Sequence, residues 1–280
     1  MRENDYKLHR ANAAFLDGCY GEALKEYQKG TQQEDPYAAV NLAYMYREGI
    51  GVPQDYGMAV SLYQSASYLD GGVAAFNLAL HCMRGLGVPT DLKKALTWME
   101  KSAAQGCIDA QLYLGLAYLL GCVYDPVHIR SIHYIPTYHV VYHQTDMLLE
   151  GAVEDQALED ARWEIITPDP ARSAYMYRRG VQEHDADEFA GQVGDARYML
   201  GQSLIEGVGG APHPRAGFHH IEAAALGCGH QEAKQFLCEN AELAEHYGVN
   251  MERVRGLLGG RSAEQAHHHR SLHAPKRPKK

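Results

Sequence analysis

The chain has 280 residues and sixteen histidines. Four of those histidines, His128, His133, His139 and His143, fall close together. His139 and His143 are four positions apart, and on a helix that spacing puts both imidazoles on one side, as zinc sites often require. The run HVVYH lacks the glutamate of H-E-x-x-H, however, and on a strand the two rings would share a face about 13 Å apart. A chain this rich in histidine forms close pairs without any metal, so His139 and His143 stand only as the metal candidates to test, and no cofactor is expected. Carboxylates follow at Glu150, Glu154, Asp155, Glu159 and Asp160 in EGAVEDQALEDARWE. Their spacing is helical and fits a solvated acidic face. A metal-binding or hydrolytic site built from these histidines and carboxylates is the enzymatic alternative.

Other chemistries find no foothold. The D-A-D run at 185–187 lacks the glycine and the terminal glutamate of a calcium loop. The chain contains no P-loop, no G-x-S-x-G and no G-x-G-x-x-G opening a helix after a strand. GIGVPQD at 49–55 and GLGVPTD at 85–91 have the glycines of a phosphate cradle. They follow helical rather than strand patterns, and their return after 36 positions explains the glycines as helix stops. No catalytic residue is predicted, and the chain is expected not to be an enzyme.

Charge and composition narrow the partners. The net charge is −9. Residues 261–280 carry six Lys/Arg against one Glu, which leaves −14 on the rest. An acidic body lacks the basic footprint that nucleic acid requires, apart from weak contacts of the tail. That tail, ending in EQAHHHRSLHAPKRPKK, is predicted to be disordered. No stretch approaches the ~20 apolar residues of a membrane span. The polar start MRENDYKLHR lacks the apolar segment of a secretory signal. The six cysteines show no CxxC and mostly fall in apolar runs, as buried thiols do. These features predict a cytoplasmic protein.

What must position any site is a repeat. Aligning the two glycine loops puts Ala38 over Ala74, Leu42 over Leu78, Ala43 over Ala79 and Ala59 over Ala95. The register continues through Ala110, Leu114, Gly115, Tyr118 and Gly121, and again through Ala196, Leu200, Gly201 and Gly207, so that D-A-x-x-x-L-G occurs at 109–115 and 195–201. Within a unit the stripe runs i, i+4, i+5, i+8, which is helical. Glycine then stops the first helix, and Asp55 or Asp91 caps the second. Such a helix–turn–helix buries its apolar face only by stacking on its neighbours.

On these residues the units resemble Sel1-like repeats, the tetratricopeptide-type branch with a period near 36 and a glycine-rich inter-helix loop. The resemblance covers roughly 36–122 and 169–240. The opening residues, with Gly18 and Ala23, resemble a plainer tetratricopeptide pair. It implies an all-α, right-handed superhelix of about five to six helix pairs over residues 1–260. EAKQFLCENAELAEHYG is predicted as a capping helix, followed by a short helix from Met251 to Leu258 opened by Asn250. The pattern departs between Gly121 and Gly207, which are 86 residues apart where one period uses 36. About 43 residues, about 125–168, are read as an insertion in the loop of the fourth pair. Within it, SIHYIPTYHVVYHQTD suggests a hairpin. The second helix resumes at DPARSAYMYRRG, with Ala174 and Tyr177 at the places of Ala95 and Trp98, and EHDADEFAG lengthens the next turn by seven.

By the same resemblance, a partner would lie on a concave face lined by the first helix of each pair. The implied positions are Val40, Tyr44, Arg47 and Glu48; Phe76, Leu80, Met83 and Arg84; Leu112, Leu116, Leu119 and Leu120; and Tyr198, Gln202, Ile205 and Glu206. A bare Leu112–Leu116–Leu119–Leu120 stripe needs a cover: a protein or peptide partner, the insertion itself, or a second chain. Similar repeat proteins are adaptors in signalling, in assembly of secreted or envelope complexes and in bacterial host interaction, and some are immunity proteins beside toxins. The resemblance therefore implies a protein–protein interaction scaffold, with self-association as the weaker alternative.

Overall fold

The computed structural model describes residues 3–68, 72–124 and 163–258. In these residues the chain is an all-α solenoid. Helices α1 (Glu3–Leu16) and α2 (Tyr20–Gln32) form the first pair, and α3 (Pro36–Glu48) and α4 (Tyr56–Tyr68) the second. The third is α5 (Gly72–Arg84) with α6 (Leu92–Ala104), the fourth α7 (Ile108–Leu120) with α8 (Pro170–Gln182), and the fifth α9 (Ala190–Glu206) with α10 (Pro214–Gly227). Each second helix packs on the first helix of the next pair. Three short helices, α11 (Gln231–Glu239), α12 (Ala241–His246) and α13 (Met251–Leu258), close the far end, α13 resting on α10 and α11.

The loops share one closure. Each of the four first helices from α3 to α9 stops on a left-handed glycine, with φ of 71° at Gly49, 71° at Gly85, 72° at Gly121 and 74° at Gly207. The chain then folds back so that the amide of Asp55 donates to Tyr46, Asp91 to Cys82 and His213 to Leu204, at 2.8, 2.8 and 2.7 Å. The carboxylates of Asp55 and Asp91 accept from the amides of Met58 and Lys94 at 2.9 Å, capping the second helix.

A second glycine sets the distance between pairs. Gly51, Gly87 and Gly209 are also left-handed, and a Cβ on them would come within 2.7, 2.5 and 2.5 Å of Tyr20, Tyr56 and Pro170. Those three residues begin the second helix of the preceding pair. Inside a pair, the small residue of the stripe does the same: a Cβ on Gly115 would lie 2.5 Å from the Tyr177 ring, and on Gly201 2.5 Å from Ile221. Large buried residues, Tyr63, Met99, Tyr177 and Ile221, fill the matching place on the second helices.

Three expectations change. The fourth pair is shifted by one: Asp169 matches Asp91, so Ser173 and Tyr177 stand where Ala95 and Met99 do, and Ala174 does not match Ala95 nor Tyr177 match Trp98. Ser173 and Ala95 are both fully buried, whereas Ala174 reaches solvent. The single capping helix breaks at Asn240, whose side-chain amide donates to the Phe236 carbonyl at 2.8 Å. Of the cysteines, Cys82 and Cys107 are buried, but Cys19 and Cys238 are exposed.

Candidate docking surface and the fourth-pair loop

The break in the repeat begins at one residue. Where the other loops have their second glycine, the fourth pair has Val123. A β-branched side chain is strongly disfavoured in the left-handed region, so the chain leaves the turn extended. It forms β1 (Cys122–Tyr124), which pairs antiparallel with β2 (Trp163–Ile165) and sets Tyr124 across from Trp163. Val123 is fully buried in the core that α6 and α7 share. Past β2 the standard loop resumes. The Ile166 amide donates to Gly121 at 3.1 Å, and the Asp169 amide donates to Tyr118 at 2.9 Å. The Asp169 carboxylate then caps α8 through the Arg172 amide at 2.9 Å. The inserted segment thus leaves and returns through one two-stranded neck. Residues 125–162 lie outside the described residues, and with them His128, His133, His139, His143, the acidic run and the suggested hairpin.

A side-chain clamp seats α8 beyond this neck. The Tyr118 hydroxyl donates to Glu100 Oε1 at 2.5 Å, and Arg172 donates to the same oxygen at 3.0 Å. The Arg172 guanidinium also lies 4.3 Å from the centre of the Tyr118 ring. Three helices, α6, α7 and α8, meet in this group.

The groove positions divide by burial. Val40, Phe76, Leu80, Met83 and Leu112 are core side chains, because each first helix packs on its own partner and on the second helix of the pair before it. Arg47 is interior too. It donates to Asn77 Oδ1 at 3.1 Å and to Glu48 Oε1 at 2.7 Å, and its guanidinium stands 5.2 Å from the Tyr44 ring. Tyr44, Arg84, Leu116, Leu119, Tyr198, Gln202 and Ile205 are half-buried, while Glu48 and Glu206 are exposed. The Leu120 side chain is outside what the structure describes. Gln202 donates to the Tyr198 hydroxyl at 3.0 Å, and the Tyr198 ring lies 4.9 Å from His230. Solvent therefore reaches a row of aromatic, aliphatic and amide groups on successive first helices, with Leu116 and Leu119 one turn before the neck.

Two buried titratable groups, His81 and Asp109, were not among the predicted site residues. His81 is enclosed between Tyr56 and Tyr63, its rings 6.1 and 5.6 Å away, and its Nδ1–H donates to the Leu86 carbonyl at 2.7 Å. Burial pushes its pKa down to about 4, against the opposing pull of that bond. Asp109, in the first turn of α7, is 1% exposed. Burial and the charge of Asp195 push its pKa up to about 7. Both are interior to the solenoid. Among the described residues no three His, Cys, Asp or Glu come together as metal ligands. No described helix is long and apolar enough to cross a membrane.

Comparison with known proteins gives the same picture. The family model of the Sel1 repeat matches residues 36–71, 72–107, 108–134 and 194–227. A Sel1 repeat protein from Oxalobacter formigenes superposes with a TM-score of 0.55 at 21% identity, over 78% of this chain and 48% of that one. A protective antigen of uropathogenic Escherichia coli with an SLR fold gives 0.40 at 19% identity, over 92% of this chain and 58% of that chain. A Sel1 repeat protein from Klebsiella pneumoniae gives 0.41 at 18%, over 87% and 93%. This chain thus spans about half the length of the Oxalobacter protein. No curated protein matches.

Proposed function

This chain is a Sel1-like repeat protein, and on that premise we propose that it is a non-enzymatic cytoplasmic adaptor whose partner protein docks on the half-buried row and on the segment held by the β1–β2 neck. Repeats of this family are a scaffold for protein–protein interaction. The observation that carries the reading is the neck itself. It follows directly on the last turns of α7, which carry Leu116 and Leu119, while the Asp169–Tyr118 bond keeps the repeat intact. A variable element on a rigid array is how binding loops are mounted on scaffolds. Tyr198 and Gln202 extend the row to the fifth pair, and Tyr44 and Glu48 begin it on the second. Aromatic and aliphatic anchors with a polar rim suit a peptide or protein partner better than a small substrate. The test is a photo-crosslinking residue placed at Leu119 in the full chain, irradiated in lysate of the source organism. One protein captured from Leu119, and not from a control position on the convex side such as Lys93, supports the reading. Identical capture from both positions, or none, contradicts it.

A further inference from the structure

Asp109 and Asp195 occupy the same place in the repeat, yet only one of them has a partner. Asp195 accepts from His230 Nε2 at 2.8 Å across the joint to α11. Two residues before the next unit's acidic position, where His230 stands for Asp195, the residue facing Asp109's joint is Val193, an apolar core side chain. Both Asp109 carboxyl oxygens are buried, with no hydrogen-bond partner among the described residues. The same joint, where α7 and α8 meet α9, holds two more partnerless buried atoms, Gln111 Oε1 and His184 Nε2. It is also where the turn between α8 and α9 is lengthened.

We propose that Asp109 is a proton-operated latch on the joint between the fourth and fifth pairs: with its carboxyl protonated α7 and α9 stay packed, and on ionisation the joint opens locally. A buried carboxylate with no donor is far costlier than the neutral acid. The charged groups around it do not relieve that cost. From α9 comes Asp195, another acid, itself tied to His230 and near Glu232. Arg179 at the end of α8 is already engaged by Glu183 at 2.6 and 2.9 Å, and Glu183 takes the Gln111 amide at 2.7 Å. On the α6 side stand Ser102 and the buried thiol of Cys107, which the Asp109 charge pushes further up. The folded carboxyl therefore binds its proton more tightly than the opened one, so closure is favoured at low pH and weakens as pH rises from about 4 towards about 7.

The experiment is hydrogen exchange of the full chain at pH 5.5 and 8.5, corrected for the intrinsic pH dependence of amide exchange. In the wild type, opening of 105–120 and 190–206 rises on the order of 30-fold between the two pH values. In Asp109→Asn it is the same at both pH values. Unchanged wild-type opening, or the same rise in the variant, overturns the latch. If the variant fails to fold, a carboxyl-carbon NMR titration of wild-type Asp109 decides. A midpoint near neutrality is expected, and a carboxyl already ionised at pH 5 overturns the proposal.

Discussion

The amide of Asp169 donates to the carbonyl of Tyr118 across 51 positions of sequence, the same bond that Asp91 makes to Cys82 across 9, so the fourth loop absorbs 42 further residues without losing its closure. The insertion is added to a finished turn rather than replacing one. β1 and β2 flank the extra chain, and the Glu100–Tyr118–Arg172 clamp secures α8 on the far side.

Removal of the inserted segment follows from this. Joining Tyr124 to Trp163 by a two-residue Asn-Gly turn should leave the helical circular dichroism per folded residue unchanged and the melting temperature within a few degrees, because a two-residue turn suits an antiparallel ribbon. Partner binding should fall. Loss of the helical signal would mean the segment is needed for the fold.

A crowded left-handed glycine and an uncrowded helical one should behave oppositely. Gly87→Ala forces a side chain onto the Tyr56 carbonyl at 2.5 Å with φ at +72°, and should cost about 1–3 kcal/mol in chemical denaturation. Gly21 lies in α2 with nothing within 4 Å of a new Cβ, so Gly21→Ala should stabilise by up to about 1 kcal/mol.

His81 sets an acid limit. Its folded pKa, about 4, lies below the ordinary histidine value, so the neutral buried ring contributes stability that is present above about pH 6.5 and lost as pH falls towards 4. The loss attributable to this group is about 3 kcal/mol. His81→Asn keeps a donor for the Leu86 carbonyl but does not titrate, so urea unfolding at stepped pH should show a flatter curve from pH 7 to 4 in the variant.

The clamp should show coupling rather than large single effects. Arg172 and Glu100 are each partly exposed, so Arg172→Ala is expected to cost no more than about 1 kcal/mol. Tyr118→Phe removes a hydrogen bond from a buried hydroxyl, about 1 kcal/mol. In a double-mutant cycle by urea unfolding, the two losses should fall short of additive, since both act on the same Glu100 oxygen.

The solenoid was legible because its signals are local. Gly49, Gly85, Gly121 and Gly207 each end a helix by their own φ, and Asp55 and Asp91 cap by reaching three residues on. The one-residue shift in α8 arose because DPARSA offers both Ala171 and Ala174 to an alignment on small residues, whereas the backbone aligns on Asp169. Burial of Phe76, Leu80, Met83 and Leu112 depends on three helices at once, so a stripe drawn on one helix could not separate them from Leu116 and Leu119. Asp109 and Asp195 read identically in the motif, and only the neighbours Val193 and His230, each from the following unit, tell them apart.

The docking surface is tested most directly by the affinity of the crosslinked partner for the wild-type chain and for Leu116→Glu/Leu119→Glu, measured by titration calorimetry with matched circular dichroism. Two half-buried anchors on the row predict a loss of roughly 30-fold or more with the helical signal kept. An affinity unchanged in the folded double variant would contradict the placement of the partner on this face.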